Sequence, residues 1–412
     1  MKILIVNSFD IKGGAARAAY RLHRALLAEG LESQMLVQTK LSDDYTVIGA
    51  GTKFQKAVSV LRPILDDLPV LLYRQRTATL FSPGWVPLSN IVDRINNLKP
   101  DLVHLHWIAG GMLRIEDIQN IKVPMVWSLH DMWPFTGGCH YDEQCGRFKQ
   151  HCGICKVLRS EKKKDLSAKV HSRKQKAYSA FDNIYIVGLS KWLAQSARES
   201  FLFRNLPVLN IPNPLDTSVF APHDKSVARD LMKLPKHRKL VLFGALAGTD
   251  DTRKGFRELS SALECVDTDN TELVVFGSSQ PQTPYKFKQK AHYLGHLHDD
   301  VSLRLLYNAA DVMVVPSLQE NLVQTAIESM ACGTPVVAFG TTGLLDIVDH
   351  KENGYLAKPF ITTDLAAGIN WVLNSADNVQ LAKNAREKAV STFDSRLVAQ
   401  QYIQLYKSIL NK

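Results

Sequence analysis

The sequence predicts an α/β protein built as two doubly wound parallel-sheet domains facing across a cleft. Three observations carry that prediction. Short apolar runs recur along the chain and alternate with stretches of helical spacing, the pattern of parallel strands joined by crossover helices. The alternation falls into two series, parted by the Pro- and Asn-rich stretch Asn205–Asp216, a candidate hinge. The length of 412 residues suits two or three domains of roughly 150 residues each.

The elements follow in order. Lys2–Val6 is an apolar run fit for a strand buried on both faces. A loop with Gly13 and Gly14 comes next. Ala15–Glu29 then sets Leu22, Leu26 and Leu27 on one side of a helix, with Gly30 where a C-terminal cap belongs. Gln34–Val37 closes a strand–helix–strand unit. Leu102–Leu105, Met125–Leu129 and Ile184–Val187 continue the first series. The second series has strands at Leu240–Phe243, Glu272–Phe276, Val312–Val315 and Pro335–Phe339, with helices at Ser317–Cys332 and Thr363–Leu373. An amphipathic helix, Arg396–Leu410, closes the chain. The domains are expected at 1–205, with a last helix over 395–412 packing back on it, and at 206–394.

Composition sets limits. With 45% hydrophobic and 22% charged residues, disordered, collagen-like and small disulfide-scaffold chains are excluded. No apolar run approaches the roughly 20 residues of a membrane span. Met1–Phe9 lacks the long apolar stretch of a signal peptide, so a cytoplasmic location is expected. The net charge is +10, and residues 1–200 hold all of it, with 28 Lys and Arg against 18 Asp and Glu. A basic half points to an anionic partner.

In doubly wound sheets ligands bind beyond the carboxyl ends of the strands, so the loops there are the ones to read. Asp311–Gly340 is the most informative stretch. A strand ends at Pro316, a loop presents Glu320, and a helix starting near Leu322 carries Glu328 before Gly333 ends it. The backbone N–H groups of Asn321, Leu322 and Val323 then lie at a helix N-terminus, a place suited to phosphate. Two carboxylates flanking an anion site suit a nucleotide-sugar. The same spacing also fits a capping acid plus a solvated surface acid.

This stretch resembles the signature of the retaining glycosyltransferases of family 4, whose architecture is the two-Rossmann-like GT-B fold. Their pattern is Glu, seven residues, Glu, then a small-residue helix end and Gly-Thr-Pro-Val-Val, present here as Glu320, Glu328 and Gly333–Val337. The resemblance continues through Gly343, Asp346, Ile347, Val348 and Asn353–Leu356, and is weaker over the rest of the chain. It implies that Glu320 contacts the donor sugar and Glu328 the ribose. Val323 stands where family members often have Gly or Pro, a bulkier wall beside the sugar.

Gly244–Gly255 follows a strand and carries Arg253 and Lys254, cations suited to neutralise a diphosphate leaving group, or to an ordinary solvated basic turn. The family has an Arg shortly after that strand and a Lys before Gly. Lys254 matches the second; Ala245 occupies the first position, with Arg253 as the candidate replacement. Gly13 and Gly14, without Cβ atoms, suit a close approach of backbone to the donor, and equally a simple tight turn. The G-x-G-x-x-G and G-x-x-x-x-G-K-[ST] fingerprints are absent, which speaks against NAD binding and P-loop chemistry. His130 directly follows the Met125–Leu129 strand, where a family histidine approaches the donor sugar, and Asp131 is expected to orient its ring. His104 and His106 rank below it. Asp267–Asp269 precedes a strand, so this D-x-D is read as a turn, and the resemblance implies no catalytic metal.

Cys139, Cys145, Cys152 and Cys155 are spaced C-x5-C-x6-C-x2-C. Four thiolates suit tetrahedral zinc, with free thiols as the alternative. The stretch resembles Cys-rich insertions in a subgroup of bacterial polysaccharide and O-antigen glycosyltransferases, so a structural zinc is expected. Lys53–Arg76 interleaves Lys53, Lys56, Arg62, Arg74 and Arg76 with Val58, Leu61, Ile64, Leu65, Leu68, Leu71 and Leu72, a composition that suits a helix lying on an anionic bilayer. Arg159–Lys176 is a second basic cluster. Both also fit ordinary solvated faces.

The resemblance implies a retaining hexosyltransferase. It would move a sugar from a nucleotide-diphosphate sugar to a growing lipid-linked cell-surface glycan, such as lipopolysaccharide, at the inner face of the cell membrane. The first domain would take the acceptor and the second the donor, with no nucleic-acid partner. A nucleotide-sugar epimerase of the same fold is the alternative. A nucleic-acid-binding protein would need an aromatic-interleaved basic groove, and no known module for one is present.

Overall fold

The structure is a computed structural model that describes residues 1–244, 251–277, 287–297 and 299–411. It divides into two compact units: Met1–Pro214 with Val398–Lys412, and Leu215–Leu397. Among the described residues the first unit is built on a seven-stranded sheet and the second on a six-stranded one, every strand pairing parallel. Among the same residues no helix is long and apolar enough to cross a membrane.

In the first unit the strands are β1 (Lys2–Phe9), β2 (Glu32–Thr39), β3 (Val47–Ile48), β4 (Leu102–Leu105), β5 (Met125–Leu129), β6 (Ile184–Gly188) and β7 (Val208–Asn210), in the spatial order β3-β2-β1-β4-β5-β6-β7. Helices α1 (Gly14–Ala28), α2 (Lys53–Asp67), α3 (Ile91–Leu98), α4 (Leu166–Tyr178) and α5 (Lys191–Glu199) connect them. Alternate residues of β1 explain its continuous apolar run. Ile3 and Ile5 pack with Leu22 and Leu26 of α1, while Leu4 and Val6 pack on the other face with Ile95 of α3 and Trp127 of β5.

The second unit holds β8 (Lys239–Gly244), β9 (Thr271–Phe276), β10 (Ala291–Tyr293), β11 (Val312–Val315), β12 (Val336–Phe339) and β13 (Gly354–Ala357), in the order β10-β9-β8-β11-β12-β13. Its helices are α6 (Lys225–Leu231), α7 (Phe256–Leu263), α8 (Asp300–Ala309), α9 (Gln324–Ala331), α10 (Thr362–Leu373) and α11 (Asn378–Phe393). Val241, Phe243, Val312 and Val314 form the core with Leu259 of α7 and Ile369 of α10. The last helix, α12 (Ser395–Leu410), places Val398, Tyr402 and Tyr406 on the α1 face of the first sheet.

Two sequence expectations change. The helix expected over Ser317–Cys332 is shorter, because Glu320 is held in a loop. Its N–H donates to Thr342 Oγ1 at 3.1 Å, and its C=O accepts from Gly343 N–H at 3.1 Å. The Pro-rich stretch Asn205–Asp216 contains a strand, β7, which is confined to the sheet edge as its flanking prolines require. Asp267–Asp269 lies at the amino edge before β9, where Asp267 Oδ1 accepts from Asp269 N–H at 3.0 Å.

Candidate functional site

The order in which the chain adds strands reverses once in each sheet, between β1 and β4 in the first unit and between β8 and β11 in the second. Crevices form at the carboxyl ends of strands flanking such a reversal. In the second unit the loop after β8 brings Arg253 and Lys254 there, and the loop after β11 brings Glu320. Ala245 lies outside the described residues.

Gly255 explains how the two loops meet. It sits at φ +72°, and a Cβ on it would fall 1.8 Å from Pro316 O, so only glycine lets this backbone pass the end of β11. The contact is reinforced where Leu318 N–H donates to Arg253 O at 2.9 Å. The side chains then pair. Arg253 Nη1 lies 2.6 Å from Glu320 Oε1, Lys254 Nζ bonds the same oxygen, and Arg253 Nη2 reaches Asp251 Oδ2 at 3.0 Å. Burial pushes the Glu320 carboxyl up, but the charges of Arg253 and Lys254 outweigh it and hold the group down at about 2. Glu320 is therefore a carboxylate throughout the physiological range.

Thr342, which sequence reasoning passed over, braces that carboxylate's backbone. It adopts a left-handed φ of 51°, a conformation that costs a non-glycine residue about 1 kcal/mol or more. The signal was the turn-rich Gly340–Gly343 directly after a strand. Asn321 and Leu322 lead up to α9, Val323 is its N-cap, and α9 opens at Gln324. The helix-terminal N–H groups thus begin at Val323, not at Asn321, because the Glu320 loop takes up the preceding residues. Glu328 lies in the second turn of α9, buried, and accepts a hydrogen bond from Tyr307 Oη of α8 at 2.6 Å.

In the first unit Gly13 is the N-cap of α1 at φ +91°, with no atom within 4 Å of where a Cβ would stand, and Gly14 is the first helical residue. Across the reversal stand His106, after β4, and His130, after β5. His130 Nε2 lies 2.9 Å from His106 Nδ1. The Nε2 of His106 is buried without a hydrogen-bond partner. A buried orphan N–H is rarer and more costly than an orphan lone pair. The hydrogen-bond pattern thus favours the proton on His106 Nδ1, donated to His130 Nε2, which leaves the His130 proton on Nδ1.

Below them His104 Nδ1 meets Tyr406 Oη at 2.7 Å, His104 Nε2 meets Ser128 Oγ at 2.8 Å, and Ser128 Oγ meets Tyr402 Oη at 2.9 Å. Burial lowers all three histidines, His130 to about 4, so they are neutral near pH 7. Asp131 does not take the orienting role expected of it. Its carboxylate accepts from His140 Nδ1 at 2.7 Å, Trp107 Nε1 at 2.9 Å and Trp133 N–H at 2.9 Å. His106 is a neighbour that holds His130, at its Nε2.

All four cysteines of the spaced set are free thiols, Cys139 and Cys155 buried, Cys145 and Cys152 partly so. Burial first, then the three other thiols, raise the proton affinity of Cys139, and Cys139 and Cys155 pack in one cluster with Val70, Phe81, Val157 and Leu158. Among the described residues no three His, Cys, Asp or Glu side chains are placed as ligands of a metal ion.

Residues 12–219 match the family model described as Glycosyltransferase Family 4, and residues 237–375 the one described as Glycosyl transferases group 1. Over 329 residues the chain is 26% identical to an uncharacterized glycosyltransferase of Methanocaldococcus jannaschii, covering 75% of each. Its structure is similar to sucrose-phosphate synthase from Thermosynechococcus elongatus, with a TM-score of 0.69 and 20% identity over 100% of both chains. It is also similar to HepE of Anabaena in complex with UDP-glucose, with a TM-score of 0.66 and 17% identity over 99% of this chain and 100% of that one. At such identities the structural likeness speaks for the fold, two Rossmann-like domains of the GT-B type.

Proposed function

Because the chain belongs to glycosyltransferase family 4, we propose that it is a retaining enzyme that moves a sugar from a nucleotide-diphosphate donor to a growing lipid-linked cell-surface glycan. The observation that carries this reading is the cluster of Arg253, Lys254 and Glu320 at the sheet reversal of the second unit. The donor diphosphate would take the two cations, with the N–H groups opening α9 as further donors. Glu320 would accept hydrogen bonds from the sugar hydroxyls and Glu328 from the ribose. In the reaction the bond from the anomeric carbon to the diphosphate oxygen breaks as one to the acceptor hydroxyl forms on the same face. The departing nucleoside diphosphate keeps the electron pair, and one of its phosphate oxygens takes the acceptor's proton. His130 is assigned a stabilising contact with the sugar. The UDP-glucose complex of HepE supports a nucleotide-sugar donor. The positive excess of residues 1–200 supports an anionic, lipid-diphosphate-linked acceptor.

The test is transfer of labelled sugar from nucleotide-sugars to lipid extracted from bacterial membranes, with the anomeric configuration of the product read by NMR. Retained configuration in a lipid-extractable product, lost with Glu320→Ala, supports the reading. An isomerised free nucleotide-sugar without transfer points to an epimerase instead.

A structural zinc on Cys139, Cys145, Cys152 and Cys155 belongs to the same reading. It is supported by the sulfur-only donor set and by the apolar packing of Val70, Phe81, Val157 and Leu158 around Cys139 and Cys155. Binding would require the thiolates to move from the arrangement described, in which no such ligand group is formed among the described residues. Elemental analysis of reduced, unchelated protein should find zinc stoichiometric with the chain; its absence contradicts the assignment.

A further inference from the structure

Helix α2 is inside out. Its buried residues are all polar, while its large apolar residues face solvent. Ser59, Arg62 and Asp66 are buried. Arg62 donates to Gly111 O at 2.5 Å, Val86 O at 2.9 Å and Pro87 O at 2.9 Å, and Asp66 Oδ1 accepts from Trp85 N–H at 3.2 Å. Pro63, inside the helix, lacks the N–H that would bond Ser59 O. Gln38 Nε2 bonds that carbonyl instead, at 3.1 Å. The inward face is thus fixed by specific polar contacts, and the helix cannot roll to hide its other side without breaking them.

The outward face carries Phe54, Leu61 and Ile64, and the tight turn that follows, Leu68–Leu72, adds Leu68, Leu71 and Leu72. Phe54 is 78% exposed, Ile64 60% and Leu72 85%. A contiguous exposed apolar strip of this kind marks an interaction surface. Trp85, whose indole Nε1 donates to Asp66 O at 3.3 Å, stands beside the end of the helix with part of its ring exposed. Aromatic residues of this amphipathic type belong at a membrane interface.

We propose that this face docks on an anionic lipid bilayer. Lys53 and Lys56 at one end of the strip and Arg74 and Arg76 at the other are exposed, and Asp67 is the one exposed acid between them. A second copy of the chain meeting this strip through a two-fold axis would set the same cations against one another. An anionic surface complements them. The inference goes beyond the proposed reaction and does not depend on which sugar is moved.

The experiment is flotation of the full chain with vesicles of phosphatidylcholine alone and of phosphatidylcholine mixed with phosphatidylglycerol. Binding to the mixed vesicles is expected, weakened by salt. It should fall about tenfold or more in the double variant Ile64→Glu, Leu72→Glu, with an unchanged circular dichroism spectrum. Lys53→Glu with Lys56→Glu, which leaves the apolar strip intact, should weaken binding to the mixed vesicles only. Absence of vesicle binding, or equal binding to neutral vesicles, overturns the proposal. So does a dimer in vesicle-free solution that the same double variant dissociates. Stabilisation by nucleotide-sugars is a separate readout, so a failure here leaves the proposed reaction standing.

Discussion

Arg253 Nη1 lies 2.6 Å from Glu320 Oε1, so the loops after β8 and β11 neutralise each other at the sheet reversal of the second unit. A diphosphate entering there competes with Glu320 for the cations. Arg253→Ala should therefore lower kcat/KM about a hundredfold, roughly 3 kcal/mol of transition-state stabilisation. Arg253→Lys should recover part of the loss. Steady-state kinetics check this; equal losses in both variants would show that shape, not charge, matters.

Removing the carboxylate should separate binding from turnover. In Glu320→Gln, transfer should collapse while the nucleoside diphosphate product binds as tightly as before or more so, because Arg253 and Lys254 lose their internal counter-charge. Calorimetry with the product decides it. A parallel loss of binding would mean that Glu320 only holds the loop together.

The two tyrosines of α12 should differ in their contribution to stability. Tyr406→Phe leaves His104 Nδ1 buried without its partner, whereas Tyr402→Phe removes one of the two bonds to Ser128 Oγ. The first should cost about 2 kcal/mol and the second about 1 kcal/mol. Urea midpoints measure both, and the reverse order contradicts the hydrogen-bond assignment.

Acid should destabilise the protein in two windows. The histidines are lowered from 6.5, His104 to about 3 and His130 to about 4. The unfolded chain therefore binds protons that the native one refuses, and stability falls as pH drops from about 6.5 towards 4. Glu320 is depressed from 4.5 to about 2, so its contribution is present above 4.5 and is lost as pH falls through 2. His130→Asn should flatten the dependence in the upper window only, as read from unfolding midpoints across pH.

The central strands were legible because strands buried on both faces leave continuous apolar runs. Leu102–Leu105, Met125–Leu129 and Val312–Val315 fall at their predicted bounds. The edge strands β3, β7 and β10 span 2 to 3 residues, too few for a period to show. Side-chain partners were less legible. Glu320 meets Arg253 from 67 residues away, and Asp131 is taken by His140 through a loop that returns after 9 residues. Local pattern carries no trace of either. Composition marked Lys53–Arg76 as mixed basic and apolar, but which side faces inward is decided by the carbonyls waiting for Arg62.

The central claim is that Arg253, Lys254 and Glu320 form a nucleotide-diphosphate-sugar site. Its most direct test is the thermal midpoint of the protein and of its Arg253→Ala, Lys254→Ala double variant against UDP-, GDP-, ADP- and dTDP-sugars. At least one donor should raise the midpoint of the unsubstituted chain and leave the variant unmoved. No shift with any donor, or the same shift in both proteins, would contradict the account.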